Sequence, residues 1–183
     1  ISLKEDASNC ESPLRICLGQ GIVKGTGFDG IVRKSVELGV DKIVPISANR
    51  SIAKLSQEDS ERKINRWCRI SREASKQCGR SSIPIIGPKP ATVKEFCFTN
   101  QGSDLKIIFW EEERSFRIKN LLHKSKLKSV AILIGPEGGF SSKEVDVSRK
   151  YGFQSVSLGP RLLRTDTAPL AAIAIIQNHW GDL

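Results

Sequence analysis

The sequence predicts an α/β domain with a mainly parallel sheet flanked by helices. Two observations carry this. Aliphatic runs of strand length alternate with segments of helical period along most of the chain. Two of those runs, "VAILIGP" and "SVSLGP", end in the same Gly-Pro step, as strands of one parallel sheet do when they reach a common edge. The length, 183 residues at 39% apolar and 27% charged, suits one domain with a real core.

The elements follow in order. "LRICLGQGIV" (14–23) reads as a strand and "FDGIVRKSVELGV" (28–40) as a helix ending at Gly39. "DKIVPIS" (41–47) is a second strand, with Pro45 near its end. Residues 58–84 form a long helix closed by Gly79. "IIGPKPATV" (85–93), with two prolines and a glycine, is the most loop-like interior segment. "LKIIFW" (105–110) is a third strand, followed by the acidic turn "EEER". "SVAILIG" (129–135) is a fourth, then comes a helix over 141–152. "FQSVSLG" (153–159) is a fifth strand, and 166–180 closes the chain as a helix. Residues 1–13 fit no element and are expected to be a tail.

No apolar run approaches the roughly 18 residues of a membrane span. The start, "ISLKEDASNC", lacks signal-peptide character, so secretion is unsupported. Five scattered cysteines, none in C-x-x-C, and two distant histidines argue against a disulfide framework or a metal site and suggest a reducing compartment. The net charge of +9 favours polyanionic partners.

Charge is concentrated on the long helix. At about 100° per residue, Ile64, Trp67, Cys68, Ser71, Ala74, Ser75 and Cys78 share one arc. Arg62, Arg66, Arg69 and Lys76 fall opposite, Arg72 flanks them and Arg80 follows. The stripe is about 20 Å long and suits contact with an RNA backbone. Glu61 and Glu73 are too few to neutralise it from within the helix.

The loop after the fourth strand, Gly135-Pro136-Glu137-Gly138-Gly139, offers a carboxylate where a phosphate cradle would offer Lys, and G-x-G-x-x-G is missing. A nucleoside triphosphate or a dinucleotide is therefore not the expected ligand. Glycines let a flat ligand approach the backbone at this edge. The closing helix runs apolar from Leu170 to Ile176 with no polar face, which favours burial at a subunit interface. Pro169 suits its first turn, and Thr165, Asp166 or Thr167 can cap it.

"ILIGPEGGFSSKEV" followed by "SLGPRLLRTDTAPLAA" resembles the C-terminal signature of the RsmE family, 16S ribosomal RNA uridine-N3 methyltransferases of the SPOUT superfamily. "VRKSVELGVDKIVPISANRS" and "RWCRISREASKQCGRSSIP" are similar to the family pattern too, so the likeness runs from about residue 14 to the end. It implies a SPOUT domain over 14–183 with a deep C-terminal trefoil knot, S-adenosylmethionine as methyl donor, and a homodimer. Residues 1–13 stand where the family has a PUA-like barrel and are expected to be its remnant. Asp166 stands where the family usually has Glu. A bacterial cytosol is the default location; a mitochondrial or plastid form lacking its transit peptide would look similar.

The resemblance implies a cofactor pocket of Phe109, Ile134, Gly135, Pro136, Glu137, Gly138, Gly139, Leu158, Gly159, Leu162, Leu163, Arg164, Thr165 and Ala168, with Phe109 to Glu111 as a third wall. Arg164 is the expected stabiliser of charge on a uracil carbonyl, and Asp166 or Glu137 the expected proton acceptor. Arg50, Arg62, Arg66, Arg69, Lys76 and Arg80 are expected to hold RNA phosphates. No metal is expected. The alternatives are an enzyme of this fold acting on another ribosomal or transfer RNA nucleotide, and a non-catalytic RNA-binding module.

Overall fold

The computed structural model of the chain describes residues 10–51, 56–123 and 126–183. The first nine residues, most of the expected tail, lie outside the described residues. Six strands form one sheet: β1 (Arg15–Gly21), β2 (Lys42–Ile46), β3 (Ile85–Ile86), β4 (Leu105–Phe109), β5 (Ser129–Ile134) and β6 (Gln154–Val156). Their order is β3-β2-β1-β5-β4-β6, and every pairing is parallel. All carboxyl ends therefore face one edge. Gln20 is in register with Ile134, Ile134 with Phe109, and Phe109 with Val156, so three strand ends form one row.

Among the described residues five α-helices cover the sheet: α1 (Gly27–Glu37), α2 (Gln57–Gln77), α3 (Val93–Thr99), α4 (Ser142–Lys150) and α5 (Ala168–Trp180). One core layer holds α1, α2 and α5, with Phe28 against Trp67 at 4.1 Å between ring centroids and Ile173 and Ile176 fully buried. The other holds Phe96 of α3 and Val145 of α4 against Ile108, Ala131 and Leu133. Burial on both faces explains why the central strands are near-continuous aliphatic runs.

The predicted apolar arc of α2 is the buried one: Ile64, Trp67, Ser71, Ala74 and Ser75 face inward. The helix stops at Gln77, and Gly79 follows with φ +75°, so the closing glycine lies where expected although the sequence runs the helix on to residue 84. The segment expected to be the most loop-like carries β3, paired with β2. Helix α3 was not expected. Its start is a reciprocal box in which the Thr92 side chain accepts from Glu95 N and the Glu95 carboxylate accepts from Thr92 N.

Helix α5 begins two residues later than expected. Its N-cap Thr167 makes no side-chain cap, and Pro169 sits in the first turn. Ala172, Ile173, Ile176 and Gln177 are buried; Leu170, Ala171 and Ala174 are half-buried. To reach α5, which packs on β1 and α1, the chain leaves β6 and crosses the carboxyl ends of β4 and β5. None of the described helices is long and apolar enough to cross a membrane. Burial pushes the Cys17 and Cys97 thiols up to about 12, which leaves them unreactive.

The amino edge of the sheet is closed by a buried ion pair. Arg80, with a side chain only 4% exposed, binds Glu11 at 2.7 Å and donates to the carbonyls of Val36 and Val40 at 3.1 and 2.7 Å. Glu11 also accepts from Ser82 N, and Ser12 donates to Gln177 Oε1 at 2.8 Å. Residues 11 and 12, expected in the tail, are thus fastened to the domain. Burial raises the Glu11 carboxyl, but the Arg80 guanidinium and the Ser82 amide outweigh it and hold it at about 2.

Arg80→Ala strands the half-buried Glu11 carboxylate and is expected to cost about 3–5 kcal/mol in chemical denaturation. Because the Glu11 pKa is depressed on folding, its contribution is complete above its ordinary value of 4.5 and vanishes as the pH falls through about 2. Unfolding midpoints measured across that window are expected to drop more steeply in the parent than in Glu11→Gln.

Candidate active site

The three aligned strand ends open into a cleft of about 950 Å³, within the usual range for a small-molecule site. Its floor is Phe109, Ile134 and Val156; its walls are the β5–α4 loop, residues 157–168 and the turn after β4. All the residues expected in a cofactor pocket line this one cleft, from Phe109 and Ile134 through Gly135–Gly139 to Leu158, Gly159, Leu162–Thr165 and Ala168. The reason is topological: β5 and β6 flank β4, so loops 20 residues apart in sequence become opposite walls.

The β5–α4 loop is wedged by its neighbours. Gly139 N donates to Pro136 O at 2.9 Å, closing a turn in which Gly139 takes φ +66°. A Cβ at Gly139 would come within 1.8 Å of the Glu111 carboxylate. A Cβ at Gly138 would meet the Arg50 carbonyl at 2.8 Å. On the other side a Cβ at Gly21 would lie 2.2 Å from Pro136 N. Glu137 accepts from Lys24 N at 3.0 Å, which ties this loop to the one between β1 and α1.

The opposite wall is turned by Ser157, whose hydroxyl accepts from Gly159 N at 3.1 Å and donates to Gly159 O at 2.9 Å. A Cβ at Gly159 would meet nothing within 4 Å. Leu162 is 82% exposed and Leu163 half-buried. Among the described residues none accepts from the N–H groups of Leu162, Leu163 or Thr165, so this wall offers bare backbone donors beside an apolar floor. A ligand with a flat polar heterocycle and a charged aliphatic end, such as S-adenosylmethionine, fits that donor set.

Arg164, Asp166 and Glu137 all border the cleft. The Arg164 carbonyl accepts from Thr167 N and Ala168 N, both at 2.9 Å, and anchors the turn; its guanidinium is exposed. Among the described residues Asp166 accepts only from Thr167 Oγ1, at 3.3 Å. Sequence reasoning missed Val23, Lys24 and Gly27, which enter because β1 lies beside β5, and Arg114 and Arg117. No periodicity reveals strand order, so the first group carried no readable signal.

The expected RNA-contacting cations are scattered. Arg62 pairs with Asp59 at 2.5 Å, Arg66 with Asp29, and Lys76 with Glu73 at 3.6 Å. Only Glu73 among these partners belongs to the pair weighed from the sequence; Asp59 is on the helix's first turn and Asp29 on α1. Arg69 is exposed and forms no ion pair among the described residues. Arg50 lies near the cleft loop, 3.9 Å from Glu112. Arg80 corrects the expectation outright: its buried guanidinium is spent on Glu11 and two carbonyls and cannot reach a phosphate.

The sequence pattern of the RNA methyltransferase domain matches residues 10–177. A ribosomal RNA small subunit methyltransferase E of Buchnera aphidicola is 39% identical over 181 residues, covering 99% of this chain and 70% of the relative. A Legionella pneumophila methyltransferase in complex with the bound cofactor SAM is similar at a TM-score of 0.88 and 38% identity, covering 96% of this chain and 70% of that one. A ribosomal RNA small subunit methyltransferase E from Neisseria gonorrhoeae bound to S-adenosyl methionine is similar at 0.86 and 36%, covering 97% and 71%.

Gly21→Ala places a methyl group against the backbone of Pro136, where no side chain can swing away. It is expected to lower stability by about 1–3 kcal/mol in chemical denaturation. Gly159→Ala meets open space, but Gly159 takes φ +146°, which side chains rarely adopt, so it is expected to lose about 1–3 kcal/mol in the same measurement through backbone strain rather than contact.

Proposed function

The chain belongs to the RNA methyltransferase domain family, and from that premise we propose that it methylates N3 of a uridine in small-subunit, 16S-type ribosomal RNA, using S-adenosylmethionine. The observation that carries the reading is the cleft itself: three parallel strand ends in one row, two Gly-Pro loops facing each other across them, and Arg164 at the rim. The fold is that of the SPOUT methyltransferases.

The bound cofactor would supply an electrophilic methyl carbon on a sulfonium. Ile134 to Gly139, Leu158 and Leu162 to Ala168 would hold it, mainly through main-chain atoms and apolar contact. The chain's own chemical work is to place uracil N3 in line with that carbon and to remove the N3 proton. Arg164, exposed and held by its own carbonyl at the turn, stabilises the negative charge that grows on a uracil carbonyl oxygen. Asp166 is the proton acceptor we favour over Glu137. One Glu137 oxygen is committed to Lys24 N, whereas Asp166 is engaged only by a neighbouring hydroxyl.

The same reading takes the half-buried apolar face of α5 as the surface of a homodimer and the crossing of residues 157–167 as part of a trefoil knot. The domain then acts in the bacterial cytosol on an RNA that reaches the cleft from outside. The residues ahead of β1 would join it to a PUA-like barrel.

The test is mass spectrometry of nucleosides from 16S-type RNA after incubation with the chain and labelled S-adenosylmethionine. A labelled 3-methyluridine is expected. Label on another nucleoside moves the assignment to a different target, and no label with no heat of cofactor binding overturns it. Arg164→Ala is expected to reduce turnover at least about a hundredfold, the scale of losing one charge-stabilising donor, while calorimetry finds cofactor affinity within a few-fold.

A further inference from the structure

Five cations border the cleft without pairing to the acids beside them. Lys24, Arg114, Arg117, Arg161 and Arg164 all line it, all are exposed, and none forms an ion pair among the described residues. Acids are abundant beside them, so the lack of pairing needs a cause. Each is directed elsewhere. Glu111 lies against Gly139, Glu112 faces Arg50, Glu137 takes Lys24 N, and Asp166 takes the Thr167 hydroxyl.

Glu113 shows how the pattern is built. Its Oε1 accepts from Ser115 N at 3.0 Å, Ser115 Oγ at 2.7 Å and Phe116 N at 3.2 Å; its Oε2 accepts from Ser155 Oγ at 2.8 Å. Those hydroxyls and amides hold its carboxyl at about 2, so it stays an acceptor. It staples the turn after β4 onto β6. Residues 116–118 then run parallel to 157: Ser157 N donates to Phe116 O at 2.9 Å and Ile118 N to Ser157 O at 3.0 Å. Arg114 and Arg117 on one segment, and Arg161 four residues past the bridge on the next, all line the cleft.

We propose that Arg114, Arg117 and Arg161 form the cradle that grips the RNA backbone and delivers the target nucleotide to the cleft, and that the stripe on α2 does not. This deepens the proposed function and rests on it. Helix α2 packs on α1 and on β3, at the sheet edge opposite β6, and three of its four stripe cations are already paired. A flexible polyanion is better matched by guanidinium groups that are rigidly mounted and electrostatically unspent.

The experiment is fluorescence anisotropy of a labelled small-subunit rRNA transcript titrated with the whole chain over a salt series. Three variants are compared: Arg114→Gln with Arg117→Gln and Arg161→Gln; the same three positions changed to Lys; and Arg62→Gln with Arg66→Gln and Lys76→Gln. Loss of three phosphate contacts is expected to weaken binding about tenfold or more and to flatten the log–log salt slope by about 2. The Lys variant is expected to keep the slope, because charge sets it. The α2 variant is expected to change it by less than about 1.

Thermal unfolding, expected at a midpoint close to the parent's in all three, checks that each remains folded. A parent-like slope in the cradle Gln variant, or an equal loss in the α2 variant, overturns the inference while leaving the proposed function standing. A parent chain that binds no RNA and no cofactor overturns both.

Discussion

Everything at the cleft depends on the parallel register that brings Gln20, Ile134, Phe109 and Val156 level with one another. Neighbouring strands are only about 4.8 Å apart, so the chains leaving them must turn in each other's way. That crowding, as much as any ligand, accounts for the bare Gly-Pro-Glu-Gly-Gly loop. The Cβ directions at Gly135, Gly138 and Gly139 all end on protein atoms: Gly139 Cα at 3.0 Å, Arg50 O at 2.8 Å and the Glu111 carboxylate at 1.8 Å. Gly159 alone among the cleft glycines points its absent side chain at open space. A flat ligand can therefore approach the backbone at Gly159, where φ +146° favours glycine as well; the others admit their neighbours.

The charge distribution obeys a similar division. The net +9 is not spread evenly in effect, because local acids pair directly with Arg62, Arg66 and Lys76 on α2, while Arg114, Arg117 and Arg161 at the cleft form no direct ion pair among the described residues. Exposed pairs of this kind contribute little to stability, but they do reduce the local field an approaching polyanion meets. A helical wheel counts charges on one helix and cannot see Asp29 arriving from α1 to take both Arg66 and the Trp67 indole.

Much of the fold was legible because burial on both sheet faces writes itself as aliphatic runs. β1, β2, β4, β5 and β6 fall inside the stretches that announce them. β3 was hidden because two residues between prolines make no pattern. Helix α3 was readable and overlooked: "TVKE" is an S/T-x-x-E start, borne out by the reciprocal Thr92–Glu95 bonds. The pocket residues came together because the family resemblance supplied the strand order that periodicity lacks. Arg80 failed for the opposite reason. An arginine just past a helix looks solvated, and its partner Glu11 is 69 residues away in sequence.

The placement of that ion pair separates two tasks along one helix. Glu11–Arg80, with Ser12 and Gln177, fastens the amino edge of the sheet, where Ile16 N also donates to Asp41. The cleft occupies the carboxyl edge. Helix α5 joins the two, starting in the cleft wall at Ala168 and reaching the clasp at Gln177, whose amide also donates to the carbonyls of Leu38 and Gly39. Ala172, Ile173 and Ile176 are buried along the way, so the helix cannot slide without breaking core contacts. The wall that carries Arg164 and Asp166 is thus held at its end by the bonds from Thr167 N and Ala168 N to the Arg164 carbonyl and by the buried helix that follows. That arrangement leaves the backbone donors of residues 162–165 uncommitted, which a wall built to grip a ligand through its main chain requires.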